Sequence, residues 1–156
     1  MLSSLDNQRA HVLGILDALP EEMLRRAVLP SGWTCRGMVR HLALSVERFW
    51  LREIVAGESF ERADPDLDAQ AAWHVPASLS ADDVFSPYRE EIARANAIIT
   101  STPLDAPLAK WRDDLSPNWR LHNLREVVVH VITETACHAG HLDAARELLD
   151  GRLWLS

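Results

Sequence analysis

The sequence predicts an all-α fold, an antiparallel four-helix bundle with a long irregular connection before its last helix. Apolar residues recur at helical spacing in four long segments, runs of alternating β-branched residues are almost absent, and proline or glycine stands at most of the segment ends. A chain of 156 residues can bury one sizeable core and is too short for two comfortable ones, so a single domain over residues 1–156 is expected.

The first helix is expected over residues 4–18, where Ala10, Val12, Leu13, Leu16 and the following Leu19 supply apolar contacts and Pro20 stops the run. A short EEMLRRAV turn leads to Pro30. The second helix starts after "SGW": Thr34 is placed to cap it, Trp33 can staple onto Met38, and Gly57 ends it. Residues 57–80 are polar and contain two prolines, which reads as a long loop. Ser80 then caps a third helix reaching Ile99 despite Pro87 near its start. Pro103, Pro107 and Pro117 exclude a long helix between residues 102 and 121. Asn123 with Glu126 three residues on forms an N-cap pair for the fourth helix, which runs to Asp150 and ends at Gly151.

Composition removes several function classes. Sixteen Lys and Arg against twenty-three Asp and Glu leave a net charge of −7, with no basic run able to neutralise a row of phosphates, so nucleic acid is not an expected partner. No apolar run approaches the roughly 20 residues that span a bilayer, and the opening MLSSLDNQR has neither a basic region nor an apolar signal core. A soluble, cytoplasmic protein is expected. The two cysteines, Cys35 and Cys137, form no disulfide framework and no thiolate metal spacing, so both are read as reduced thiols.

Within the last helix the stretch HVITETACHAGH, residues 130–141, concentrates histidine and glutamate in an otherwise apolar run. At about 100° per residue, Val127, Val131, Glu134, His138, Leu142, Ala145 and Leu149 share one face. A carboxylate buried there costs several kcal/mol unless it is paired, protonated or metal-bound, and no Lys or Arg lies on that face between Val127 and Leu142. The second helix offers His41 at the edge of its own stripe of Met38, Leu42, Ser45, Val46 and Phe49. His41, Glu134 and His138 form a donor set suited to zinc or another late divalent ion, nickel included, with a coordination position left for chemistry. The competing reading is plainer: a hydrogen-bonded core histidine at position 41 and an ordinary i,i+4 contact between Glu134 and His138. His130 and His141 flank the same face as fourth ligands, proton carriers, pocket walls or, the favoured role, hydrogen-bond partners behind the ligands. His11, His74 and His122 fall on helix surfaces or in loops. Cys35 at a helix start is read as packing, and Cys137 points away from His138.

The stretches SGWTCRGMVRHLALSVERFW and LREVVVHVITETACHAGHLDAARELLDG resemble the DinB-like superfamily of metal-binding four-helix bundles, over nearly the full chain. The similarity is to a bacterial branch whose last helix carries an ARHAGHAD-type motif, written here ACHAGHLD, with a Trp-Thr pair opening helix two and a histidine seven residues after the threonine, Thr34 to His41. The resemblance implies metal ligation by one histidine of helix two and a pair four apart on the last helix. Glu134 with His138 is similar to the arrangement of the mycothiol-dependent maleylpyruvate isomerase branch, although the chain ends soon after the fourth helix at GRLWLS and is expected to lack that enzyme's C-terminal domain.

From the resemblance follows the expected function: a divalent-metal-dependent S-transferase or isomerase that uses a low-molecular-weight thiol such as mycothiol and an electrophilic partner. A hydrolase working through metal-activated water, and a non-catalytic metal-stabilised binding or stress-response module, are the alternatives. Six tryptophans in a small chain, together with the habit of DinB-like relatives, lead to the expectation of a homodimer.

Overall fold

The structure is a computed structural model that describes residues 1–60, 73–112 and 118–154. Its helices are α1 (Leu2–Ile15), α2 (Glu21–Leu24), α3 (Cys35–His41), α4 (Asp82–Ser101) and α5 (Leu124–Asp150), and α3 runs on into a π-wound segment over Leu42–Val55. No strand occurs among the described residues. The four long helical stretches are those the apolar periodicity marks, and they assemble into an all-α bundle in which α1 lies along α5, α4 along the π-wound segment, and α5 against that segment. None of the described helices is long and apolar enough to cross a membrane.

The helix starts follow local chemistry. Thr34 accepts a hydrogen bond from the Gly37 amide at 3.1 Å, and Asn123 accepts one from the Glu126 amide at 3.0 Å, each satisfying an amide that the first turn leaves without a partner. Ser80 and Asp83 form a reciprocal box: the Ser80 hydroxyl accepts from the Asp83 amide at 3.2 Å, and the Asp83 carboxylate accepts from the Ser80 amide at 2.7 Å. Gly151 closes α5 in the left-handed region at φ 78°. The first helix ends at Ile15, three residues short of the sequence expectation, because the chain must turn towards Pro20. The stretch between α4 and α5 is irregular where it is described, and its backbone is pinned at both ends: Lys110 and Ala109 donate to Ile54 and Val55, while Leu124 and Arg125 donate back to Ala106 and Leu104. Pro117 and the middle of the 57–80 connection lie outside the described residues.

The buried faces differ in phase from those read off the sequence. In α5 the covered residues are Val127, Val128, Val131, Thr135, Ala139, Leu142, Ala145 and Arg146. This turns the helix so that Glu134 and His138 sit at the edge of the core instead of its centre. Thr135 can be buried because its hydroxyl donates to the Val131 carbonyl at 2.7 Å, leaving no orphaned polar group. Glu134 consequently keeps 39% of its side chain exposed, and the inference that it is a carboxylate trapped in the core is incorrect. Past His41, π winding moves Glu47, Leu51 and Ile54 into the core and leaves Ser45 and Phe49 half-buried.

Carboxylates are buried elsewhere, and the most deeply covered among the described residues is Glu47, 1% exposed, whose partner is Arg9 of α1, 2% exposed. Arg9 Nε and Nη2 donate to the two Glu47 oxygens at 2.7 and 2.6 Å, while its Nη1 donates to Asp6 at 2.8 Å and to the Asn96 side-chain oxygen at 2.6 Å. All six tryptophans are more than half covered within the single chain, Trp119 and Trp154 being the most exposed at 41% and 37%, so aromatic content alone does not demand a second chain. Arg9→Met leaves Glu47 buried without its counter-charge and should cost about 3–5 kcal/mol in urea unfolding, most of it recovered when Glu47→Leu is added. A single-variant loss no larger than about 0.5 kcal/mol would mean that the pair is effectively solvated.

Candidate metal centre

His41 is the last residue of α3, at the point where α winding gives way to π winding. Glu134 and His138 stand one turn apart on α5, which packs against α3. One donor atom from each of the three lies within 4.8 Å of the others. The His138 Nε2 faces a Glu134 oxygen at 3.7 Å, and the His41 and His138 rings meet edge to face with centroids 5.0 Å apart. Behind His138, its Nδ1 lies 3.5 Å from His141 Nδ1, so His138 can donate to His141 and keep a lone pair on its Nε2. His130 takes a different position. It packs on Trp50 and Trp119 at centroid distances of 4.6 and 5.2 Å and does not join the three-donor cluster.

The electrostatics suit a cation. Burial, with the nearness of His138 second, pushes the His41 imidazole down to about 4. Burial also lowers His138, against the opposing pull of the Glu134 charge. Both rings are thus neutral at neutral pH and carry free lone pairs. His41 Nδ1 is fully buried with no hydrogen-bond partner among the described residues, a deficit of about 1–3 kcal/mol for a neutral donor or acceptor. Two neutral imidazoles, one carboxylate and an orphaned ring nitrogen fit a divalent ion held by nitrogen and oxygen donors.

Beside the cluster lies an open cavity of about 430 Å³ between the start of α3 and residues 73–75, with Trp33, Thr34, Trp73, His74 and Val75 in its wall. Trp73 stacks on His41 at 4.0 Å with the planes 13° apart. Close packing holds it there: a Cβ at Gly37 would stand 2.5 Å from the Trp73 carbonyl oxygen. Farther along, Arg36, buried and paired with Glu21 at 2.9 Å, donates to the Leu79 carbonyl at 2.6 Å, and Arg25 donates to Ala77 and Leu79 at 2.8 and 2.7 Å. Sequence reasoning missed this wall. The available signals were a lone tryptophan in a polar loop and a glycine in a helical first turn that no backbone angle requires.

The thiols separate as burial dictates. The buried Cys35 is pushed up to about 11 by desolvation, whereas Cys137 is exposed with its sulfur 4.0 Å from His141 Nδ1. Iodoacetamide at neutral pH should therefore modify Cys137 alone in the folded protein and both residues in guanidinium, as read by peptide mass. Early labelling of Cys35 would show that the α3 start opens.

In comparisons with known proteins, a family model described as mycothiol-S-transferase matches residues 1–151. No curated protein matches the chain.

Proposed function

Because this chain belongs to the mycothiol-S-transferase family, we propose that it acts as a single-domain, cytoplasmic homodimer that transfers a low-molecular-weight thiol such as mycothiol to an electrophile, with a divalent metal, zinc or nickel, at His41, Glu134 and His138. The observation that carries the reading is the convergence of these donors within 4.8 Å from two helices. A divalent ion there would lower the pKa of a bound thiol and keep it as the thiolate nucleophile. The chain's own residues do the positioning. A hydrogen bond donated by His138 Nδ1 to His141 Nδ1, 3.5 Å away, would fix the His138 tautomer whose Nε2 is free. Trp73 covers one face of His41 and keeps water off it. In the transfer a sulfur–carbon bond forms as the bond from carbon to the leaving group breaks. The leaving group departs with the electron pair and the thiol proton passes to solvent.

Substitutions separate the ligands from their supports. His138→Ala should abolish metal binding, read by elemental analysis of the purified protein. His141→Ala should keep the stoichiometry but weaken affinity about 10–100-fold, the usual effect of removing the group behind a ligating histidine. His130→Ala should change neither. Glu134→Gln should lower affinity at least tenfold, about 1.4 kcal/mol. Because Glu134 is partly solvated, the melting temperature of chelated Glu134→Gln should match that of the chelated wild type. Metal retained by His138→Ala and lost from His130→Ala would overturn the assignment.

Self-association rests on the exposed Trp119 and Trp154, since aromatic surface is enriched at interfaces. Static light scattering should give twice the 17.5 kDa chain mass, and a 17.5 kDa species alone at micromolar concentration would remove the dimer.

A further inference from the structure

Residues 73–81 form a strap that runs from Trp73, stacked on His41 at 4.0 Å, to the start of α4. Outside a helix or sheet, the backbone groups of such a segment need partners from its surroundings. Three of its carbonyls find them in two guanidiniums. Arg36 Nη2 donates to Leu79 at 2.6 Å and to Pro76 at 3.4 Å, while Arg25 donates to Ala77 at 2.8 Å and to Leu79 at 2.7 Å. Two cations placed so near one another repel, and Arg36, 1% exposed, has little water to screen it.

One carboxylate offsets both charges. Glu21, the first residue of α2, accepts through Oε1 from Arg36 Nη1 at 2.9 Å and lies 2.7 Å from Arg25 Nη2, while its Oε2 accepts from the Ala81 amide at 2.9 Å. A single side chain of a one-turn helix thus joins both guanidiniums to the far end of the strap. Asp83, a second acidic group near Arg36, is taken up by the Ser80 amide and hydroxyl, each at 2.7 Å. At the Trp73 end the fit is steric, the carbonyl oxygen lying 2.5 Å from where a Cβ at Gly37 would stand. Packing fixes how closely Trp73 approaches, and the charge-assisted hydrogen bonds farther along resist its withdrawal.

We propose that Glu21 is a positioning residue of the metal centre: by holding Arg25, Arg36 and the Ala81 amide together, it keeps residues 73–81 down and Trp73 stacked on His41. It acts through the strap and is not a member of the three-donor cluster. A ring already held by a stacked neighbour loses less freedom when an ion binds it, so releasing the strap weakens the site. The consequence for the metal rests on the reading of His41 as a ligand, whereas the hold on Trp73 does not.

Fluorine NMR of the full chain labelled with 5-fluorotryptophan reads the hold directly. Trp73→Phe identifies the Trp73 resonance among the six, and His41→Ala gives the shift caused by losing the stacked imidazole. In chelated protein, Glu21→Ala should shift that resonance by at least half as much as His41→Ala does, and Glu21→Gln, which keeps one acceptor oxygen of the two, should shift it less. Arg25→Met, which removes two of the carbonyl fastenings, should also shift it and serves if Glu21→Ala fails to fold. Glu22→Ala, at the exposed neighbouring position, should leave the resonance in place. Zinc titration should show affinity weakened by about threefold or more in Glu21→Ala and unchanged in Glu22→Ala. A Trp73 resonance that stays put in both Glu21→Ala and Arg25→Met would overturn the proposal even if their melting temperatures fall, since Glu21 would then only stabilise α2. A resonance that moves while zinc affinity stays at the wild-type value would overturn it as well. Movement of the resonance in a chain whose wild type binds no zinc would support the hold on Trp73 and remove the metal reading alone.

Discussion

The bundle is organised around a guanidinium that cannot be solvated by water. Arg9 projects from α1 into the core, where it meets both oxygens of Glu47 on the π-wound segment and the side chain of Asn96 on α4. Three of the four long helical stretches are thereby fixed in register by one side chain. The fourth is tied to the first by the same device in reverse: Arg146 of α5, also buried, donates to the Ile15 carbonyl at 2.7 Å at the end of α1. Hydrophobic burial supplies most of the driving force but is indifferent to small slides of one helix along another. Buried charges are not indifferent, because a displacement of an ångström or two leaves an ion unpaired in low dielectric. A cluster whose donors come from α3 and α5 depends on that register.

Local winding then sets the donors. His41 stands where α winding ends, and π segments recur in helices at functional positions because they redirect side chains without breaking the helix. Upstream, the Thr34 cap fixes where α3 begins, and Gly37 in its first turn lets the Trp73 backbone lie directly against the helix. Two turns of helix thus carry the cap, the close approach that seats Trp73, and His41, on which Trp73 rests. The pairing of a structural glycine with a stacked tryptophan explains how a residue from a loop of polar composition becomes part of a defined pocket.

Much of this was legible in the sequence, and the limits have physical causes. Periodicity located all four long helical stretches, and capping chemistry located Thr34, Asn123 and Gly151, because these features are written in adjacent residues. The spacing of Glu134 and His138 and the edge position of His41 gave three residues that the fold does bring together. The argument used for them was partly mistaken. Glu134 was read as a carboxylate in the core, yet it lies at the core edge, since Thr135 and Ala139 set the buried face of α5. The burial of Glu47 is not legible because a uniform 3.6-residue period places Ser45 and Phe49 inward, and the wider π winding does not follow that period. Arg9 falls four residues after Leu5 and three before Val12 on the covered face of α1, so half of the pair was visible as a charge in an apolar stripe. Trp73 was beyond reach, since its place depends on contacts made across more than thirty residues of chain.

A glutamate at position 134 gives the three-donor cluster one negative charge that a third imidazole would not supply. A divalent ion with three neutral ligands carries two positive charges, and binding one thiolate leaves an excess of one in a medium that solvates charge poorly. Were Glu134 a ligand, the excess before binding would be a single charge, which one thiolate would cancel. Among the described residues the wall of the neighbouring cavity holds no Lys, Arg, Asp or Glu, and His74 is its one titratable side chain. Glu134, 39% exposed at the core edge, keeps contact with water, so its carboxylate does not need a buried counter-charge of the kind Arg9 gives Glu47.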